Sequence, residues 1–148
     1  MTMSEPNKQN TVGVIVVTHI DYGSALLRAA ETILGPLQDC CAIGLDTSQA
    51  PSATADRLQD AVKRLDQGNG VIILTDMFGG TPTNMSLSLM GNSKVDVVTG
   101  VNLPMLLKVF SARNLELFDL SAQVRDAGIK GIVAAGEVLR NRVKPGQT

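Results

Sequence analysis

The sequence predicts an α/β fold, with a mainly parallel sheet of four strands in the order 2-1-3-4 flanked by helices. Three observations lead there. Short runs rich in Val and Ile alternate four times with longer stretches whose apolar residues recur at helical spacing. The runs at Val12–Val17 and Val71–Leu74 are apolar along their length, which suits strands covered on both faces. Gly and Pro mark most of the changes from one kind of stretch to the other. Right-handed crossovers and a flavodoxin-like order then set strands one and three side by side, with the topological switch point between them.

Taken in order, residues 1–10 are polar, carry Pro6 and read as a disordered leader ahead of a domain over 11–142. Thr11 to Thr18 forms the first strand, and His19 follows it directly. Leu26, Ala30, Ile33 and Leu34 share one face of a helix from about Gly23, stopped by Gly35-Pro36. Cys40 to Leu45 is a second strand. Pro51 and Ser52 open a helix with Leu58, Val62 and Leu65 as its core stripe, and Gly68 closes it. Val71 to Thr75 is the third strand. Thr81 as N-cap and Pro82 as first residue start a helix to about Met90. Val95 to Thr99 is the fourth strand, and Asn102-Leu103-Pro104 begins a helix to about Ala112. Leu117, Leu120, Val124 and Ala127 mark a further helix over Leu115–Ala127, ended by Gly128. Ile129 to Ala135 reads either as a last short strand or as a helical extension. A polar tail over 143–148 follows, with no second domain expected after it.

Composition narrows the function. The chain has 148 residues, enough for one domain that buries about two thirds of its unfolded surface. A net charge of -1 and the absence of any Lys/Arg cluster argue against a nucleic-acid surface. No run approaches a membrane span or a signal-peptide core, so a cytoplasmic protein is expected. Cys40 and Cys41 are adjacent, which disfavours a disulfide and lacks metal-ligand spacing; they read as small strand residues. No G-x-S-x-G elbow, P-loop or G-x-G-x-x-G turn is present. Asp21 and Asp46 make a weak carboxylate set for Mg²⁺, and one His is a poor start for any metal site, so neither metal nor cofactor is expected.

The chemistry gathers on Val71–Pro82, V-I-I-L-T-D-M-F-G-G-T-P. Asp76 stands at the carboxyl end of the third strand, where parallel sheets place ligand sites. Gly79, Gly80 and Thr81 lead into a helix N-terminus, whose amide donors suit a phosphate. The predicted order puts His19 at the end of the neighbouring strand, about 4.8 Å away. A carboxylate accepting from one ring nitrogen leaves the other as a nucleophile. His19 and Asp76 are therefore the candidate catalytic pair, with Gly79, Gly80 and Thr81 as the phosphate cradle. The bland readings are a structural His, a capping Asp and an ordinary tight turn. Met77 and Phe78 read equally as core or as a partner-docking patch.

The runs V-I-V-V-T-H, L-T-D-M-F-G-G-T-P-T-N and T-G-V-N-L-P-M-L together resemble the IIA domain of the mannose-type (mannose/fructose/sorbose) phosphoenolpyruvate-dependent sugar phosphotransferase system, over about Val12–Gly136. The resemblance implies a phosphohistidine carrier that takes phosphate from HPr and passes it to a IIB domain, without metal. His19 matches the phosphorylated histidine, Asp76 its carboxylate partner, and Gly80 and Thr81 the pocket. It further implies a homodimer that exchanges a C-terminal antiparallel edge strand, here within Ile129–Ala135. Many relatives carry Gly after the histidine, where this chain has Ile20-Asp21-Tyr22, and a fused IIB domain is not expected. A regulatory sensor of phosphorylation state, or the phosphocarrier subunit of a dihydroxyacetone kinase, are the alternative readings.

Overall fold

A computed structural model, describing residues 10–143, has strands and helices in the order β1 (Gly13–His19), α1 (Tyr22–Leu34), β2 (Cys40–Leu45), α2 (Pro51–Leu65), β3 (Val71–Thr75), α3 (Thr81–Leu87), β4 (Val95–Thr99), α4 (Leu103–Ser111), α5 (Leu117–Lys130) and α6 (Ala135–Val143). The four strands pair in parallel in the order β2-β1-β3-β4. The leader and tail expected at the two ends lie outside the described residues, except for Asn10 and Val143.

Side-chain alternation along the two central strands divides the core. Val14, Val16, Ile72 and Leu74 face α1, α4 and α5, where they meet Ala30, Leu106, Val109, Leu120 and Val124. Ile15, Val17, Val71 and Ile73 face the other way, against Leu58, Ala61, Val62 and Leu65 of α2. Both faces of β1 and β3 are thus buried, which is why neither sequence run shows the polar alternation of a one-sided strand. Arg113 ties the far ends of β1 and β2 together. Its guanidinium donates to the backbone carbonyls of Val12, Gln38 and Asp39 and lies over the Phe110 ring.

The C-terminal third departs from expectation. Gly128 does not end α5, which runs through it to Lys130. A Cβ at position 128 would lie 2.6 Å from Met105 Cγ, so the glycine serves close packing of α5 on α4. The Asn102 amide also donates to the Gly128 carbonyl, at 3.1 Å. The cap is Gly131, whose N–H bonds the Ala127 carbonyl. Of the two readings of Ile129–Ala135, the helical one describes its first residues. The segment finishes α5, turns and opens α6 in the single chain. No residue of α6 is buried. A helix beyond that turn escaped the sequence reading because none of its apolar residues is buried and they leave no core stripe.

Candidate functional site

The site lies at the carboxyl ends of β1 and β3, the two strands flanking the switch point. Register sets Val17 opposite Thr75, so His19, two residues further along β1, and Asp76, the residue after β3, emerge together at the rim. Asp76 Oδ2 receives the His19 backbone N–H at 2.9 Å and stands 2.7 Å from the ring nitrogen Nδ1. Its other oxygen, Oδ1, accepts the Met77 N–H at 3.0 Å. The carboxylate side chain is only 7% exposed, whereas the imidazole is 51% exposed. The acid is held and the ring is presented.

Partial burial pushes the Asp76 carboxyl up, but the His19 backbone N–H, the His19 ring and the Tyr22 hydroxyl together outweigh it and hold the group below the usual carboxylate range. An ionised carboxylate only accepts hydrogen bonds, so the proton between Asp76 and His19 belongs to Nδ1. Nε2 then keeps its lone pair and is free to act as a nucleophile. Burial and the neighbouring Asp76 carboxylate push the Tyr22 phenol up, which keeps it a neutral hydroxyl beside the pair.

The turn from Asp76 into α3 is fastened from below. The Thr83 hydroxyl lies 2.6 Å from both the Thr75 hydroxyl and the Met77 carbonyl, and its residue is 1% exposed. Gly79 takes a φ of 84°, so the turn requires its left-handed freedom. Gly80, and not Thr81, is the N-cap of α3, and no side chain caps that end. Thr81 is instead the first helical residue, with Pro82 after it; Thr81 was expected as the cap because its type favours that position, but the turn ends one residue earlier. A Cβ on Gly80 would approach His19 Cε1 to 3.1 Å, so the missing side chain lets this backbone lie against the ring.

Of the sequence-predicted residues, His19, Asp76 and Gly80 come together directly, and Thr81 shares with His19 a hollow of about 340 Å³. Gly79 shapes the turn but has no neighbour within 4 Å of a Cβ built on it. Asp21 lines a neighbouring hollow with Ile20, Gly44 and Arg57 and accepts the Ser24 hydroxyl at 2.7 Å, while Asp46 lines both hollows. Among the described residues, no group of three His, Cys, Asp or Glu side chains is placed to hold a metal ion. Cys40 and Cys41 are free and half-buried, and burial pushes both thiols up. Met77 and Phe78 resolve to surface, at 55% and 77% exposure.

Sequence reasoning missed Tyr22 and Thr83. The T-P-T spacing after the glycines holds a signal for Thr83: a hydroxyl two residues into the helix faces back toward the strand end. Nothing in the sequence pointed Tyr22 at Asp76.

Residues 13–125 match the family described as the PTS system fructose IIA component, EIIA-man. The chain belongs to this mannose-type IIA family of the phosphotransferase system. It is 32% identical over 111 residues to the PTS system fructose-specific EIIA component of Bacillus subtilis, covering 74% of this chain and 76% of that protein. It is 27% identical over 130 residues to the mannose-specific EIIAB component of Escherichia coli K12, where it spans 40% of the longer relative's length. The crystal structure of phosphotransferase system component EIIA from Streptococcus agalactiae superposes with a TM-score of 0.78 at 27% identity, covering 85% of this chain and 98% of that one. As a mannose-type IIA component the chain is part of a phosphotransferase system. No helix among its described residues is long and apolar enough to cross a membrane.

Proposed function

We propose that this IIA component carries phosphate on Nε2 of His19, receiving it from HPr and passing it to a IIB domain in the cytoplasm. The observation that carries the reading is the 2.7 Å contact of Asp76 with Nδ1 beneath a half-exposed ring. In the forward step the Nε2 lone pair forms the new N–P bond while the bond from phosphorus to the donor breaks, and its electron pair returns to the donor. Asp76 holds the ring's orientation and offsets the positive charge that builds on it. The amides of Gly80 and Thr81 at the start of α3, with Gly79 setting the turn, steady the phosphoryl oxygens; the first N–H groups of a helix have no partner within it.

The test is incubation with phosphoenolpyruvate, enzyme I and HPr, followed by mass measurement. The expected product is one acid-labile, alkali-stable phosphate that disappears in His19→Ala. An unmodified wild-type chain would refute the carrier.

A homodimer fits the C-terminal surface. Ile129, Ile132, Val133, Leu139 and Val143 are 60–79% exposed, and a second copy is a natural cover for so apolar a stretch.

A further inference from the structure

We infer that Ile20 is a docking residue, held in a strained backbone so that its side chain meets the protein that delivers phosphate. The inference rests on the reading of His19 as the carrier. Two non-glycine residues among those described have positive φ, Asp39 and Ile20. Asp tolerates the left-handed region; a β-branched residue, here at φ 44°, is an outlier there. Burial does not compensate, because Ile20 is 72% exposed.

Three contacts hold this conformation. The Ile20 N–H bonds the Leu45 carbonyl at 3.1 Å, and the Ile20 carbonyl accepts the Thr18 hydroxyl at 3.0 Å. Gly44 packs beneath, where a Cβ would lie 2.5 Å from the Ile20 oxygen. An apolar side chain kept in water by an over-determined, strained backbone serves neither folding nor solubility. Such strain persists where it has a use.

The position of Ile20 shows what that use is. It lines both the hollow containing His19 and Thr81 and the one containing Asp21 and Arg57, and Asp46 lines both as well. Met77 lies close to Gly80, the residue against the ring, and exposed Phe78 follows it. The imidazole therefore has exposed apolar side chains and carboxylates beside it. A small anionic phosphate donor has no apolar part to bury and meets the carboxylates of Asp21 and Asp46 beside the ring. A protein with an apolar face and cationic groups at its edge satisfies both features. The dephosphorylated site, with its negative charge, is the state the donor meets.

The experiment measures phosphate uptake from phosphorylated HPr by wild type, Ile20→Asn and Ile20→Val. Asn accepts the left-handed backbone but removes the apolar contact; Val keeps both the contact and the strain. For I20N the expected KM rises about tenfold, kcat stays within about twofold, and Tm is unchanged or higher as the strain is released. I20V keeps a KM within about twofold of wild type, and added salt raises the wild-type KM by screening the carboxylate rim. An I20N KM equal to wild type, or a lowered I20N Tm, overturns the assignment to Ile20 alone, provided wild type is phosphorylated. Wild type that takes up no phosphate overturns the carrier reading and this inference with it.

Discussion

A single oxygen of Asp76, Oδ2, holds both the backbone N–H of His19 at 2.9 Å and its ring nitrogen Nδ1 at 2.7 Å. The first bond fixes where the strand end sits and the second fixes how the ring is turned, so one atom aligns β3's carboxylate with β1's imidazole. A His at a strand end normally retains rotamer freedom. Here it has little, and the imidazole stays half-exposed.

Asp76→Asn keeps the shape but changes the hydrogen-bonding character. An amide can donate to Nδ1, which favours the tautomer with its proton on Nε2 and blocks the nucleophile. Phosphate uptake is expected to slow by roughly 10²-fold, the scale at which a partner that orients a reactive imidazole matters, with circular dichroism unchanged. Because the chain has one histidine, ¹⁵N NMR of the ring reports the tautomer without ambiguity. Wild-type rates in both Asp76→Asn and Asp76→Ala would remove Asp76 from the mechanism.

The same bonds make stability depend on pH. The carboxyl of Asp76 sits below its unfolded value of about 3.9, so its contribution is complete above that value and is lost as pH falls through the lower, folded value. Urea denaturation of wild type and Asp76→Asn is expected to show a gap at pH 5 that shrinks below about pH 4. A gap that widens on acidification would reverse the sign and contradict the depressed carboxyl.

Thr83→Val tests the fastening under the turn. It keeps the volume but strips the hydroxyl from the Thr75 hydroxyl and the Met77 carbonyl in a buried place. The expected cost is about 1–3 kcal/mol in chemical denaturation. Phosphate uptake should also slow by roughly tenfold, since a loosened turn misplaces Asp76 and Gly80 relative to the ring. Full stability with full activity would show the hydroxyl to be incidental.

Much of this was legible along the chain, and the gaps have local causes. The apolar runs at Val14–Val17 and Val71–Leu74 announced two-sided burial, and the 2-1-3-4 order they suggested is the order found. Gly128 misled, because a glycine near a helix end looks the same whether it caps the helix or makes room for Met105 on another one. Thr81 misled by one position, since its type suits a cap and Gly80 took the place.

By itself the sequence determined the elements, their alternation and therefore which strand ends share the rim, because periodicity and burial are properties of a stretch read locally. It also singled out one imidazole and one carboxylate that such a rim brings together. Only the tertiary structure decided which ring nitrogen Asp76 holds, that Tyr22 and Thr83 serve the same corner, that Ile20 is strained outward, and that α6 lies uncovered. Those facts depend on contacts between residues far apart in the chain, and a linear pattern carries no record of which side chain meets which across a fold.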